Sequence, residues 1–247
     1  MVLTSLKPPN EIFTVDLHLW PREWYAVENY ATAFAKAPLF RFMLNGALVC
    51  VAILLIQVLI AVPAAYALAK LSFRGRELCF ALVIIGILIP IQVPAIPIYI
   101  ALAWTGLLDT YSALILPFSV SAFGIFLLRQ FFKTFPDEII DAARLDGYSE
   151  IAIVWLVVLR SAWPAIGSFA LFEFIYHWND LYWPLVVLTD ANLSTPPLGL
   201  LFYRTQTSGS DFGALMAATT VITAPLIVAF LLVQRQFKQG LAIGGIR

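Results

Sequence analysis

Glu173, His177 and Asp180 stand at i, i+4 and i+7, a spacing that puts a carboxylate, an imidazole and a second carboxylate on one face of a helix, with Asn179 beside them. Those groups can ligate a metal, relay a proton or another ion, or form a polar seam along a pathway. A metal site would take all its ligands from one helix with no second cluster to complete the shell, so no metal is expected and the seam is favoured. The relay keeps open an ion-coupled secondary transporter. A second group, Asp141, Ala142, Ala143, Asp146 and Gly147, suits docking rather than bond chemistry. Its small residues let a partner approach the backbone, and its carboxylates offer acceptors to basic groups. An amphipathic helix lying on a membrane would carry Lys and Arg on its polar face, whereas this segment is acid-rich.

The elements that must position these residues are membrane helices. Of 247 residues, 61% are hydrophobic and 12% charged, against roughly 25% charged in a soluble domain. Lipid is therefore the main solvent, and nothing supports nucleic-acid binding. Apolar stretches at 42–69, 78–104, 111–131, 161–188 and 212–234 each approach or exceed the ~20 residues a helix needs to cross hydrocarbon. They are continuous rather than alternating, which excludes a closed barrel. The expectation is an all-α polytopic bundle with five spans in this chain. A charge at the bilayer centre costs about 2.5–3.5 kcal/mol, so Glu173, His177 and Asp180 must face protein or water. Pro90, Pro94 and Pro97 predict a kink or break in the second stretch. Cys50 and Cys79 fall in or beside apolar stretches and read as small hydrophobes.

Ten basic residues share one side of that arrangement: Lys70, Arg74, Arg76, Arg129, Lys133, Arg144, Arg160, Arg235, Lys238 and Arg247. The positive-inside rule puts the 132–160 loop and the 235–247 tail in the cytoplasm, leaving 1–41 and the 190–211 loop outside. Met1, Val2 and Leu3 are too short an apolar run for a secretory signal. An external leading segment with no span before it suggests a first helix upstream of Met1. In the 132–160 loop, Thr134 and Asp137 predict a capping box with Pro136 in the first turn of a short helix. Ile139, Ile140 and Ala143 mark its apolar face, Gly147 ends it, and Ser149 caps the next helix, which carries Ile151, Val154, Trp155 and Val158. Trp178, Tyr182 and Trp183 fit an outer aromatic belt or a sugar-stacking surface, with the belt favoured. The 190–211 loop, with Pro196, Pro197, Gly199 and a Ser-Gly-Ser run ending at Ser210, is too polar and broken to span and can reach outward. His18 reads as plain surface.

From Pro136, the run Pro-Asp-Glu-Ile-Ile-Asp-Ala-Ala-Arg-Leu-Asp-Gly-Tyr-Ser followed by an apolar stretch resembles the EAA loop of membrane subunits of bacterial ABC importers. The Leu-Arg-Gln-Phe-Phe run from Leu128, Trp178-Asn179-Asp180 with Trp183-Pro184-Leu185, and the Gln-Arg-Gln-Phe-Lys-Gln-Gly tail from Gln234 resemble carbohydrate-importer permeases, the branch with the maltose and glycerol-phosphate systems. Asp141 stands where the family has Glu, and Arg160 where a Pro is common, with Pro164 nearby. The resemblance implies a permease fold, typically of six spans, which agrees with a first span missing from this chain. It implies a second homologous permease, two ATPase subunits that bind ATP and Mg, and an extracytoplasmic substrate-binding protein, in an inner membrane. The 141–147 segment would seat in the ATPase. This chain has no Gly-x-x-x-x-Gly-Lys-Ser/Thr loop, so it is expected to be no enzyme and to hold no cofactor itself.

Overall fold

The longest apolar runs form long helices, each continuing through an internal proline, Pro63 in one and Pro225 in the other. In the computed structural model, which describes residues 1–14, 18–203 and 211–244, Leu39–Lys70 is one 32-residue helix (α2), preceded by the amphipathic Ala26–Lys36 (α1). At 1.5 Å per residue α2 extends about 48 Å, more than the ~30 Å of hydrocarbon. The other long helix closes the chain: in Phe212–Gly244 (α11), the part Phe212–Leu232 is apolar enough to cross.

Between these two the apolar stretches are interrupted, the second where its prolines predict a break and the others where no break was expected. The 78–104 stretch divides into Arg76–Leu88 (α3) and Ala95–Trp104 (α4), the helix ending where Pro90 and Pro94 withhold amide donors. The 111–131 stretch becomes Tyr111–Ile115 (α5), a tighter turn at Leu116–Phe118 and Ala122–Thr134 (α6), bent by 41° at the break. After Asp137–Leu145 (α7) comes Glu150–Ser161 (α8), which contains a π turn at Ile153–Val158 and meets Trp163–Trp178 (α9) at 83°. Tyr182–Val187 (α10) is separate, so 161–188 is not one rod. Among the described residues two helices are long and apolar enough to cross a membrane, or four if each bent pair is one span, where five spans were expected, the second of them kinked or broken at its prolines. Pro90 and Pro94 stand in the first interruption, Ser119 and Ser121 in the second, and Asn179 and Asp180 before α10. No strand occurs among the described residues.

The chain divides into two compact units. The first comprises Met1–Val49, Asp109–Tyr111 and Ile175–Phe230, with a core of Ala33, Leu39, Phe42, Tyr203, Ala217 and Ala218. The second comprises Cys50–Leu108, Ser112–Phe174 and Leu231–Arg247, built on Val62, Tyr66, Leu128, Phe132, Ile140, Ile153 and Val158. In this second unit Arg129 is only 3% exposed. Its guanidinium lies 3.5 Å over the Phe80 ring and its Nε donates to the Leu68 carbonyl at 3.1 Å, one of the unpaired carbonyls in the last turn of α2.

Candidate functional site

The segment around Asp141 is built differently from the capping box its sequence predicts. Thr134 ends α6, its hydroxyl donating back to the Phe131 carbonyl at 2.8 Å, and it does not cap the following helix. Pro136 is instead the N-cap of α7, in extended conformation, and no side chain accepts from the first turn. Asp137 is drawn sideways into an ion pair with Lys70 at 2.6 Å, and the same ammonium donates to the Phe135 carbonyl at 2.5 Å. The last residue of α2 thus pins the start of α7.

The apolar face of α7 is narrower than its pattern suggests: Ile140 and Ala143 are buried in the second unit's core, while Ile139 is exposed. Ala143 is therefore a core residue, not part of an open surface. Gly147 does end the helix, at φ +84°, a conformation a side chain would strain. The amide of Gly147 donates to the Arg144 carbonyl and that of Tyr148 to the Ala143 carbonyl, each at 3.0 Å, closing the last turn. Ser149 caps α8, accepting from the Ala152 amide at 3.3 Å. Along α8, Val154 and Val158 are buried, but Ile151 is exposed.

Two features of this segment were not read from the sequence. Arg144 Nε donates to Glu150 Oε1 at 2.7 Å and its Nη1 to Asp141 Oδ1 at 2.8 Å, so Asp141 already has a cationic partner within the chain. Glu150 Oε2 in turn accepts the Tyr66 hydroxyl at 2.7 Å. The Arg144 bond, opposed by partial burial and helped by Tyr66, holds the Glu150 carboxyl below its ordinary pKa; the Glu150 bond raises that of Arg144. The other feature is Leu145, 90% exposed on the polar side of α7 beside Ala142 and Asp146. A large apolar residue at the helical spacing of Glu138 and Ala142 was the available signal.

The polar face expected on one helix is only partly formed. Glu173 is 8% exposed within the second unit; its Oε1 accepts from the Ser121 hydroxyl at 2.8 Å and its Oε2 from the Gln57 amide at 3.2 Å. In the first unit His177 is buried with its ring edge-on to Tyr176, centroids 5.0 Å apart. α9 ends at Trp178, so the i+7 position is no longer helical: Asn179 is exposed, its amide donating to the Ile175 carbonyl at 2.8 Å. Asp180 accepts from the Trp183 amide at 3.2 Å at the start of α10. Trp178 and Trp183 are buried rather than in a belt, while Tyr182 is exposed; the Trp178 indole donates to the Ile222 carbonyl at 3.0 Å. Packing within the unit overrides the interfacial preference that their type suggests.

The described part of the 190–211 loop is folded in rather than free. Ser194, Thr195, Pro196 and Tyr203 are buried, and the Asn45 amide donates to the carbonyls of Asn192 and Ser194. Asp109, at φ +54°, accepts from the Thr189 amide and hydroxyl, each at 2.5 Å, and from the Asp190 amide at 2.8 Å. Its carboxyl is held below its ordinary pKa, first by the Thr189 hydroxyl and then by those amides. The Ser-Gly-Ser run lies outside the described residues. His18 is exposed but partnered: Lys7 donates to its carbonyl, and its ring nitrogen lies 2.6 Å from Arg22 Nη2.

Residues 57–243 match the family described as the binding-protein-dependent transport system inner membrane component. This chain belongs to that family. It is 30% identical over its whole length to the arabinooligosaccharides transport system permease protein AraQ of Halalkalibacterium halodurans, covering 89% of that protein. It is 33% identical to the sn-glycerol-3-phosphate transport system permease protein UgpE of Yersinia pseudotuberculosis, over 91% of this chain and 80% of the other. Its fold matches a chain of the crystal structure of a bacterial ABC transporter involved in import of the acidic polysaccharide alginate, with a TM-score of 0.82 over 95% of this chain and 87% of that one at 22% identity. It is an all-helical transport permease of this inner-membrane family.

Proposed function

We propose that this permease forms the translocation pathway of an ATP-driven sugar importer together with a second, homologous permease. Two ATPase subunits bind ATP and Mg on the cytoplasmic side, where the 132–160 segment and the C-terminal tail lie, and an extracytoplasmic binding protein delivers a sugar or sugar derivative. The observation that carries the coupling role is the exposed end of α7. Leu145, Asp146 and Ala142 stand out from a helix whose start is pinned to α2 by Lys70 and whose end is pinned to α8 through Arg144 and Glu150. An apolar knob on a braced helix can seat in a partner's cleft without rearranging its own support. The relatives named for arabinooligosaccharides and sn-glycerol-3-phosphate, with the alginate importer of similar fold, support a carbohydrate-like cargo.

Two measurements test this reading. Pull-down through this chain should recover an ATPase subunit. Vesicles carrying the recovered complex and its binding protein should accumulate labelled arabinotriose or sn-glycerol-3-phosphate only when supplied with ATP. Uptake driven by a proton or sodium gradient without ATP would instead support an ion-coupled secondary transporter.

A further inference from the structure

We infer that Glu173 is a positioning residue: it clamps the bend between α5 and α6 so that force applied at α7 moves the spans instead of flexing the bend. A 41° break inside an apolar stretch frees backbone groups that hydrocarbon cannot satisfy, and an unsatisfied break is a compliant joint. Here both sides of the break are tied to neighbouring helices through one carboxylate. Before the break, the Phe118 carbonyl accepts from the Gln57 amide at 2.9 Å. That same amide donates to Glu173 Oε2 at 3.2 Å, joining α2 to α9. After it, the Ser121 hydroxyl donates to Glu173 Oε1 at 2.8 Å while accepting from the Gly124 amide at 2.9 Å, as the N-cap of α6.

One turn along, the helices have no slack. A Cβ on Gly124 would stand 2.5 Å from Cε2 of Phe169, a fully buried ring on α9. From this clamp α6 runs about 20 Å to Thr134, where Phe135 and Pro136 lead straight into α7. Lys70 fixes the far end of that arm to α2, and Arg129 braces its middle. Glu173 supplies the missing hold at the near end. The buried carboxylate that the sequence marks as a pathway or relay group thus has a mechanical use. Its consequence for transport rests on the permease reading above.

The test keeps the whole complex and reads stiffness apart from transport. Nitroxides are placed at Lys133→Cys and Phe172→Cys, both exposed, with Cys50 and Cys79 replaced by Ser. Their distance distribution is measured in nanodiscs, in complexes carrying Ser121→Ala, Glu173→Ala or Ser121→Thr. Ser121→Ala and Glu173→Ala should broaden the distribution and raise the ATP hydrolysed per arabinotriose imported by about fivefold, the lower end of usual coupling free energies. Ser121→Thr, which keeps the hydroxyl, should restore both values. If Glu173→Ala fails to assemble, Ser121→Ala decides alone. A purely structural role would lower the yield of complex while leaving width and ATP ratio unchanged, and that result overturns the inference, as does a broadened distribution with an unchanged ratio. Uptake by the unsubstituted complex on a proton or sodium gradient without ATP overturns the ATP-driven importer reading and the coupling claim with it, while the width still judges the clamp.

Discussion

The α7 segment and the polar residues around the end of α9 use polar side chains in opposite ways. At α7 the charged groups satisfy one another within the chain: Arg144 holds Asp141 and Glu150, and Lys70 holds Asp137. What remains exposed at its tip is Leu145 with Asp146 and Gly147. At α9 the carboxylate is turned inward, and Glu173 serves the broken span behind it. The first region spends its charges on bracing a surface and the second spends a charge on bracing the interior. In the segment with most charges, the most exposed large side chain at the tip, Leu145, is apolar, with Asp146 beside it.

The sharpest break of this contrast would come from the interior. Gly124→Val should destabilise the protein by about 3 kcal/mol, because the Phe169 ring has no free space to yield into. Thermal unfolding in detergent checks it, and an unchanged midpoint would show that the α6–α9 crossing is looser than described. Glu173→Leu should cost about 2 kcal/mol by leaving the Ser121 hydroxyl and Gln57 amide without their buried acceptor. At the surface the effects should separate. Leu145→Asp should change stability by no more than about 0.5 kcal/mol, yet lower ATP-coupled uptake about tenfold, equivalent to ~1.4 kcal/mol. If uptake survives, the exposed tip is not the coupling group.

The smallest effects belong to the ion pairs. Glu150→Gln should cost no more than about 1 kcal/mol, since the pair with Arg144 is substantially exposed and screened by salt. Its pH dependence has a definite sign. The folded-state pKa of Glu150 is lowered by Arg144, so its contribution is fully present above the unfolded value of about 4.3 and is lost as pH falls through the lowered folded value. A melting series below pH 5 should therefore show a steeper fall for the parent chain than for Glu150→Gln. Equal slopes would mean that the Arg144 bridge contributes nothing in solution.

Which parts were legible in advance follows from the range of the interactions concerned. The Gly147 stop and the Ser149 cap are local, formed within a few residues of chain, and both could be read directly. The capping box was also a local reading, but Lys70, far away in sequence, took Asp137 and left Pro136 at the cap position. The aromatic belt failed for the same reason: composition places tryptophan at an interface, and packing within the first unit buried Trp178 and Trp183 instead.

Composition and periodicity by themselves determined that this chain is a helical membrane protein, because the cost of unpaired backbone in lipid leaves few other structures for so apolar a sequence. They also fixed the acid-flanked helix at 137–145 and its glycine end, which depend on neighbouring residues alone. Tertiary structure decided which face of α7 stays open and that Glu173 meets Gln57 and Ser121. Those outcomes turn on contacts between residues 52 to 116 positions apart. No local pattern encodes which distant partner will satisfy a buried polar group.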